Sequence, residues 1–102
     1  MRAHDARVST TDIILTAIAE RRIISFRYKG ETRTAEPYIL GYDDRGHLVL
    51  SAVQVKGGSG PGFRTFRMDE LSFLHMTDGR FSARHPDYNP RDAYFVRVLA
   101  RV

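Results

Sequence analysis

Residues Gly46 to Leu71 read GHLVLSAVQVKGGSGPGFRTFRMDEL, an alternating apolar run, a glycine-rich loop and a second run that ends R-T-F-R-M-D-E-L. Two such runs around a glycine loop predict two β-strands joined as a hairpin. The first strand is expected over His47 to Val55. Period-2 alternation sends Leu48, Leu50 and Ala52 toward the core, and His47, Val49, Ser51 and Val53 to the other side. The second is expected over Phe63 to Met68, with Asp69-Glu70 as a turn.

The loop Lys56-Gly57-Gly58-Ser59-Gly60-Pro61-Gly62 invites a phosphate-binding reading that fails on order. A P-loop ends in Gly-Lys-Ser/Thr and opens a helix. Here Lys56 precedes the glycines and a strand follows. Ser59 is not in a nucleophile elbow either, because Pro61 occupies the place of the last glycine in G-x-S-x-G. The loop is expected to be a flexible connector.

Upstream, residues 1–8 are polar and aperiodic, a loose lead-in. Ser9, Thr10, Thr11 and Asp12 offer N-caps for an amphipathic helix over about Thr11 to Glu20, with Ile14, Leu15, Ile18 and Ala19 at helical spacing. Arg21 and Arg22 suit the negative end of its dipole. Ile23 to Tyr28 alternates as a strand, Lys29-Gly30 makes a two-residue turn, and a return strand runs from Glu31 to about Ala35. In that register Tyr28 faces Glu31 and Phe26 faces Arg33. Arg33 thus lies on the apolar-leaning face, either as a stacked structural cation or as a charge at the mouth of a barrel. Glu36-Pro37 should interrupt the ladder, since proline offers no donor, so the chain bends or sits at an edge there. Tyr38 to Tyr42 continues extended to a turn at Asp43-Asp44-Arg45-Gly46.

Downstream, Leu71 to Met76 is a further strand closed by Thr77-Asp78-Gly79. The tail from Arg80 carries two X-Pro turns. Tyr94 to Val102 then alternates as a terminal strand, able to pair with an open barrel edge or with another subunit. One helix followed by four or five short strands predicts a mainly β domain built on a small barrel. The expected organisation is a lead-in over 1–8, a domain over 9–79 and an extension over 80–102.

The 102 residues suit one domain, and 42% hydrophobic with 27% charged residues is ordinary for a folded chain. No apolar run is long enough to span a bilayer, and no signal-peptide core precedes the helix, so a cytoplasmic protein is expected. Cysteine is absent, which excludes a disulfide framework and thiol chemistry. The formal charge of +4 rests on basic residues that are almost all arginine, the planar donor fork suited to phosphate. An anionic partner and a merely solubilising basic surface both fit that balance.

The sequence also has a family likeness. A helix ending A-I-A-E-R-R, then I-S-F-R-Y-K-G, T-R-T-A-E-P-Y-I-L, G-H-L-V-L-S-A and F-R-T-F-R-M-D-E-L together resemble the WYL domain over roughly Asp12 to Thr77. The resemblance implies an Sm-like or SH3-like β-barrel with an N-terminal helix. It also implies a sensor module that accompanies a DNA-binding helix-turn-helix and binds nucleic acid or nucleotide-like ligands through a basic patch. Arg64 and Arg67 match the family's R-x-F-R arginines, and Arg33 the arginine before the E-P pair. Two departures stand out. Leu48-Val49-Leu50 occupies the tripeptide that names the family, without its Trp and Tyr. No helix-turn-helix is recognisable, so the expectation is a free-standing module or one working beside a DNA-binding partner protein.

Four residues are therefore candidates for ligand or nucleic-acid binding: Arg64, Arg67, Arg33 and, on an outward strand position, His47. An odd separation sends Arg64 and Arg67 to opposite faces unless the strand ends or bulges near Arg67. The competing reading leaves Arg64 as a solvated cation and pairs Arg67 with Asp69 or Glu70. Phe26, Tyr28, Tyr38 and Phe66 fit a core as well as a stacking platform. No cofactor is expected, the histidine spacings suggest no metal site, and no acid pair or triad suggests an enzyme. The expected function is a regulatory module that senses a nucleotide-like anion or single-stranded nucleic acid, in transcriptional or defence-type regulation. The alternative is an assembly protein that forms homo-oligomers through barrel edges and the terminal strand.

Overall fold

A computed structural model describes residues 9–102, so the lead-in expected over 1–8, with His4, lies outside the described residues. Helix α1 spans Thr10–Glu20, one residue earlier than expected, because Ser9 is the cap: its Oγ accepts from the Asp12 N–H at 3.1 Å. Arg21 closes the helix in the left-handed region, φ 56°, and its guanidinium donates to the Ile18 carbonyl at 2.8 Å. A cation thus meets the negative end of the helix from the cap itself. Ile14, Ala17 and Ile18 turn inward. None of the described helices is long and apolar enough to cross a membrane.

Six antiparallel strands follow: β1 Arg22–Tyr28, β2 Glu31–Tyr42, β3 Leu48–Lys56, β4 Gly62–Arg67, β5 Ser72–Arg80 and β6 Arg97–Arg101. Their order is β4-β3-β2-β1-β5, with β6 beside β2. Lys29 and Gly30 both take positive φ, 51° and 79°, the geometry that a two-residue hairpin requires. The turn fixes the register expected from sequence, Tyr28 opposite Glu31 and Phe26 opposite Arg33.

The ladder is interrupted at Pro37 on one border of β2 only, and against β3 the strand continues. β2 runs through the proline, shifting register against β3 between Pro37 and Ile39. On its other border β2 pairs with β1 up to Ala35 and with β6 from Ile39 onward. Pro37 falls in the gap between those two partners, where a missing N–H breaks no bond.

The sheet is mainly β as expected, but it is open and does not close into a barrel. β4 and β5 are both borders and do not pair with one another; a 3-10 turn, Met68–Glu70, joins them. The sheet curls far enough for Phe66 on β4 to meet Phe26 and Tyr28 on β1, each with ring centroids 5.0 Å apart and edge to face. Rings, rather than a ladder, fill the mouth. Beneath them Ile14, Ile18, Ile24, Leu40 and Leu50 form the main core, which α1 covers.

The reading of β3 as one-sided needs correction. Leu50 and Ala52 face that core, but Val49 and Val53 are buried too, in a second cluster with Tyr38, Ile39 and Phe95. The cover is the tail. Tyr38 meets the rings of Phe63, Phe81 and Tyr88 at 5.1, 5.4 and 4.9 Å, and its hydroxyl accepts from the His85 N–H at 3.1 Å. The terminal strand is shorter than the expected Tyr94 to Val102 and pairs within the chain, on β2. Gly41 permits that approach, since a Cβ there would run into the Arg97 carbonyl.

Candidate functional site

Arg33 sits on the main-core face because the hairpin register sets it opposite Phe26. Its guanidinium lies over the rings of Tyr28 and Phe66, 5.2 and 5.9 Å from their centroids, a cation–π seat between β1 and β4. The side chain is only 12% exposed, so each donor needs a partner. Nη1 donates to Gln54 Oε1 at 3.2 Å, Nη2 reaches Glu31 Oε1 at 3.4 Å, and Nε is buried with none.

Gln54, fully buried between Val53 and Val55, passes the linkage on: its Nε2 donates to the Gly60 carbonyl at 2.7 Å. That carbonyl also accepts from Arg64 Nη2 at 3.2 Å. Arg33, Gln54, the loop and Arg64 therefore form one hydrogen-bonded chain. The loop is more than the connector expected from composition. Gly58 takes φ 58°, and a Cβ there would stand 2.8 Å from Arg33 Nη1 and 2.9 Å from Gln54 Nε2; one at Gly57 would collide with the Thr32 carbonyl. Glycine lets backbone lie directly on the guanidinium.

Arg64 occupies the sheet border and folds back along it. Nη1 donates to the Phe63 carbonyl at 2.8 Å, while Nε and Nη2 reach Ser59 Oγ at 3.3 and 3.2 Å. All these acceptors are neutral. Among the described residues no carboxylate pairs with Arg64. Lys29, at the β1–β2 turn, and Lys56, opposite Thr34, add the chain's two lysines to the same end of the sheet.

Arg67 lies elsewhere. The β3–β4 register runs without a bulge from Gln54 opposite Gly62 to Val49 opposite Arg67, so the odd spacing separates Arg64 from Arg67 across the sheet. Arg67 is closed on Asp69 by two bonds, Nε to Oδ1 at 3.2 Å and Nη2 to Oδ2 at 2.6 Å. That fork holds the Asp69 carboxyl below its ordinary value. His47 borders the same cleft as Arg67, with Asp43, Asp44 and Tyr94. Its backbone N–H donates to Asp43 Oδ1 at 2.8 Å, and its Nδ1 lies 3.3 Å from Asp43 Oδ2. This end is rich in carboxylates.

The four candidates therefore divide into two pairs, Arg33 with Arg64 at the glycine loop and His47 with Arg67 at the far end. Gln54 escaped the sequence reading, although a lone amide between Val53 and Val55 was its signal. Of the tail residues that build the second cluster, Phe81, Ala83 and Tyr88 carry no period that would have shown them.

A model of the WYL domain matches residues 9–76 of the chain. No curated protein and no solved structure matches it.

Proposed function

The chain belongs to the WYL domain family, generally regulatory ligand-sensing modules, and from that premise we propose that it senses a phosphate-bearing ligand at the glycine-loop end of its sheet. The ligand class is a nucleotide or single-stranded nucleic acid, and the curled sheet is an opened version of an Sm-like or SH3-like barrel. Signalling to a DNA-binding partner protein is the regulatory role that fits.

One observation carries the reading: Arg64 is held in place by neutral oxygens and keeps its charge unspent. A preset guanidinium loses little freedom on binding phosphate, whose oxygens would take the place of the neutral Ser59 Oγ on the parallel Nε and Nη2 donors. Arg33, itself paired with Glu31 at 3.4 Å, fixes the loop from beneath through Gln54. Arg67, already neutralised by Asp69 among further acids, is the poorer anion site.

Fluorescence anisotropy with labelled single-stranded oligonucleotides and cyclic nucleotides, in graded salt, tests this. Arg64→Ala should weaken binding about tenfold or more and flatten the salt dependence, whereas Arg67→Ala should leave affinity within about twofold. Equal losses from both variants, or no binding by the unmodified chain at low salt, would contradict the proposal.

A further inference from the structure

Beyond the matched residues 9–76, the tail does more than cover the second cluster. Between it and the outer side of β3 and β4 lies a cavity of about 420 Å³, within the range of small-molecule sites. Arg64 is rooted on the other face, opposite Ala52, and lines the cavity from the free edge of β4, where its guanidinium folds back over the Phe63 carbonyl. Phe63 and Tyr88 give it aromatic wall, and both rings are fixed against Tyr38. Ser51 and Thr65, directly opposed in the β3–β4 ladder, bring two hydroxyls to its floor. The tail supplies carboxylates at Asp87 and Asp92. Asp92 is held in place because its Oδ1 accepts from the Tyr94 N–H at 3.0 Å, leaving Oδ2 without a protein donor among the described residues.

This lining is selective by charge. A bare anion would satisfy Arg64 but meet Asp87 and Asp92; a bare cation would meet Arg64. The complement is a molecule with an anionic end, neutral hydroxyl donors for the carboxylates, and a flat ring for the aromatic wall. We propose that the cavity binds a nucleoside monophosphate unit, with its phosphate at Arg64, its sugar hydroxyls donating to Asp87 and Asp92, and its base beside Phe63 and Tyr88. The assignment rests on the anion-binding reading of Arg64 and extends it to the tail. A free ribonucleotide presents both sugar hydroxyls, whereas the 5′-phosphorylated end of an RNA strand keeps the phosphate, the base and the 2′-hydroxyl alone.

Isothermal titration of the full chain with adenosine and cytidine 5′-monophosphates, the two ribonucleosides, inorganic phosphate and a 5′-phosphorylated oligoribonucleotide tests it. The monophosphates should bind at least about tenfold more tightly than either nucleoside or phosphate alone. Thr65→Val and Asp92→Asn, the latter keeping the bond to the Tyr94 N–H, should each weaken monophosphate binding about fivefold or more while leaving the circular dichroism spectrum unchanged. Displacement of the mononucleotide by the oligonucleotide identifies a strand end as the source; its failure identifies the free nucleotide. Monophosphates binding no better than phosphate, or unaffected by both variants, would overturn the cavity assignment. Oligonucleotide binding that still required Arg64 would then leave the anion site standing, whereas binding indifferent to Arg64→Ala would remove that site itself.

Discussion

Arg64 and Arg67, three residues apart on one strand, stand in opposite electrostatic settings: Arg67 is closed on Asp69 at 2.6 Å, while Arg64 rests on the neutral oxygens of Ser59 and Gly60. The Arg67 pair is exposed, so solvent screens it. Arg67→Ala should accordingly shift the urea unfolding midpoint little, and Asp69→Asn equally little. A large loss from either would show that the pair holds the 3-10 turn in place.

Gln54 is the buried joint between Arg33 and the loop. Gln54→Leu conserves bulk but takes the acceptor from buried Arg33 Nη1 and leaves the Gly60 carbonyl with Arg64 alone. An expected loss of about 1–3 kcal/mol in urea denaturation follows from stranding buried polar groups. A neutral substitution would mean that water replaces the amide and that the chain of bonds has no structural role.

The glycine loop separates backbone strain from contact. Gly46 and Gly58 both take positive φ, 80° and 58°, but only Gly58 lies against Arg33 and Gln54; around Gly46 a Cβ would meet nothing within 4 Å. Gly46→Ala should lose only the left-handed backbone preference, about 1 kcal/mol. Gly58→Ala should lose more and also lift the loop, read as faster amide exchange over residues 57–61. Equal losses would contradict the close packing of loop on guanidinium.

Asp43 links stability to pH. Burial raises its carboxyl pKa, but the backbone N–H groups of His47 and Arg45, together with the His47 ring, outweigh burial and hold it below the ordinary 3.8. Because the folded value is the lower one, this contribution is complete above the unfolded pKa and disappears as pH falls through the folded value. Asp43→Asn keeps an oxygen for the two N–H donors and does not titrate. Urea midpoints between pH 6 and pH 3 should therefore fall less steeply for the variant; identical slopes would exclude Asp43 as a contributor.

The parts of this fold legible in the sequence are those set by neighbours along the chain. Lys29-Gly30 dictated the hairpin turn, and the turn dictated that Arg33 faces Phe26. Ser9 announced the helix. Pro37 signalled a local edge, but which border it falls on, the gap between β1 and β6, is a tertiary fact. The same holds for the second cluster: Phe81, Tyr88 and Phe95 find Tyr38 and Val49 across long stretches of irregular chain. For the site, the arginines were visible as residue types. Their division into two pairs was not, since it depends on an unbroken β3–β4 register and on the link through Gln54.

The central claim is that anions bind at the Arg64 end of the sheet and not at the Arg67 end. Two-dimensional amide NMR of the isotope-labelled chain, titrated with a short single-stranded oligonucleotide at low salt, tests it most directly. The account predicts shifts concentrated at Gly57 to Arg64, with Asp43 to His47 and Arg67 to Glu70 left in place. Shifts confined to those last two segments would contradict it.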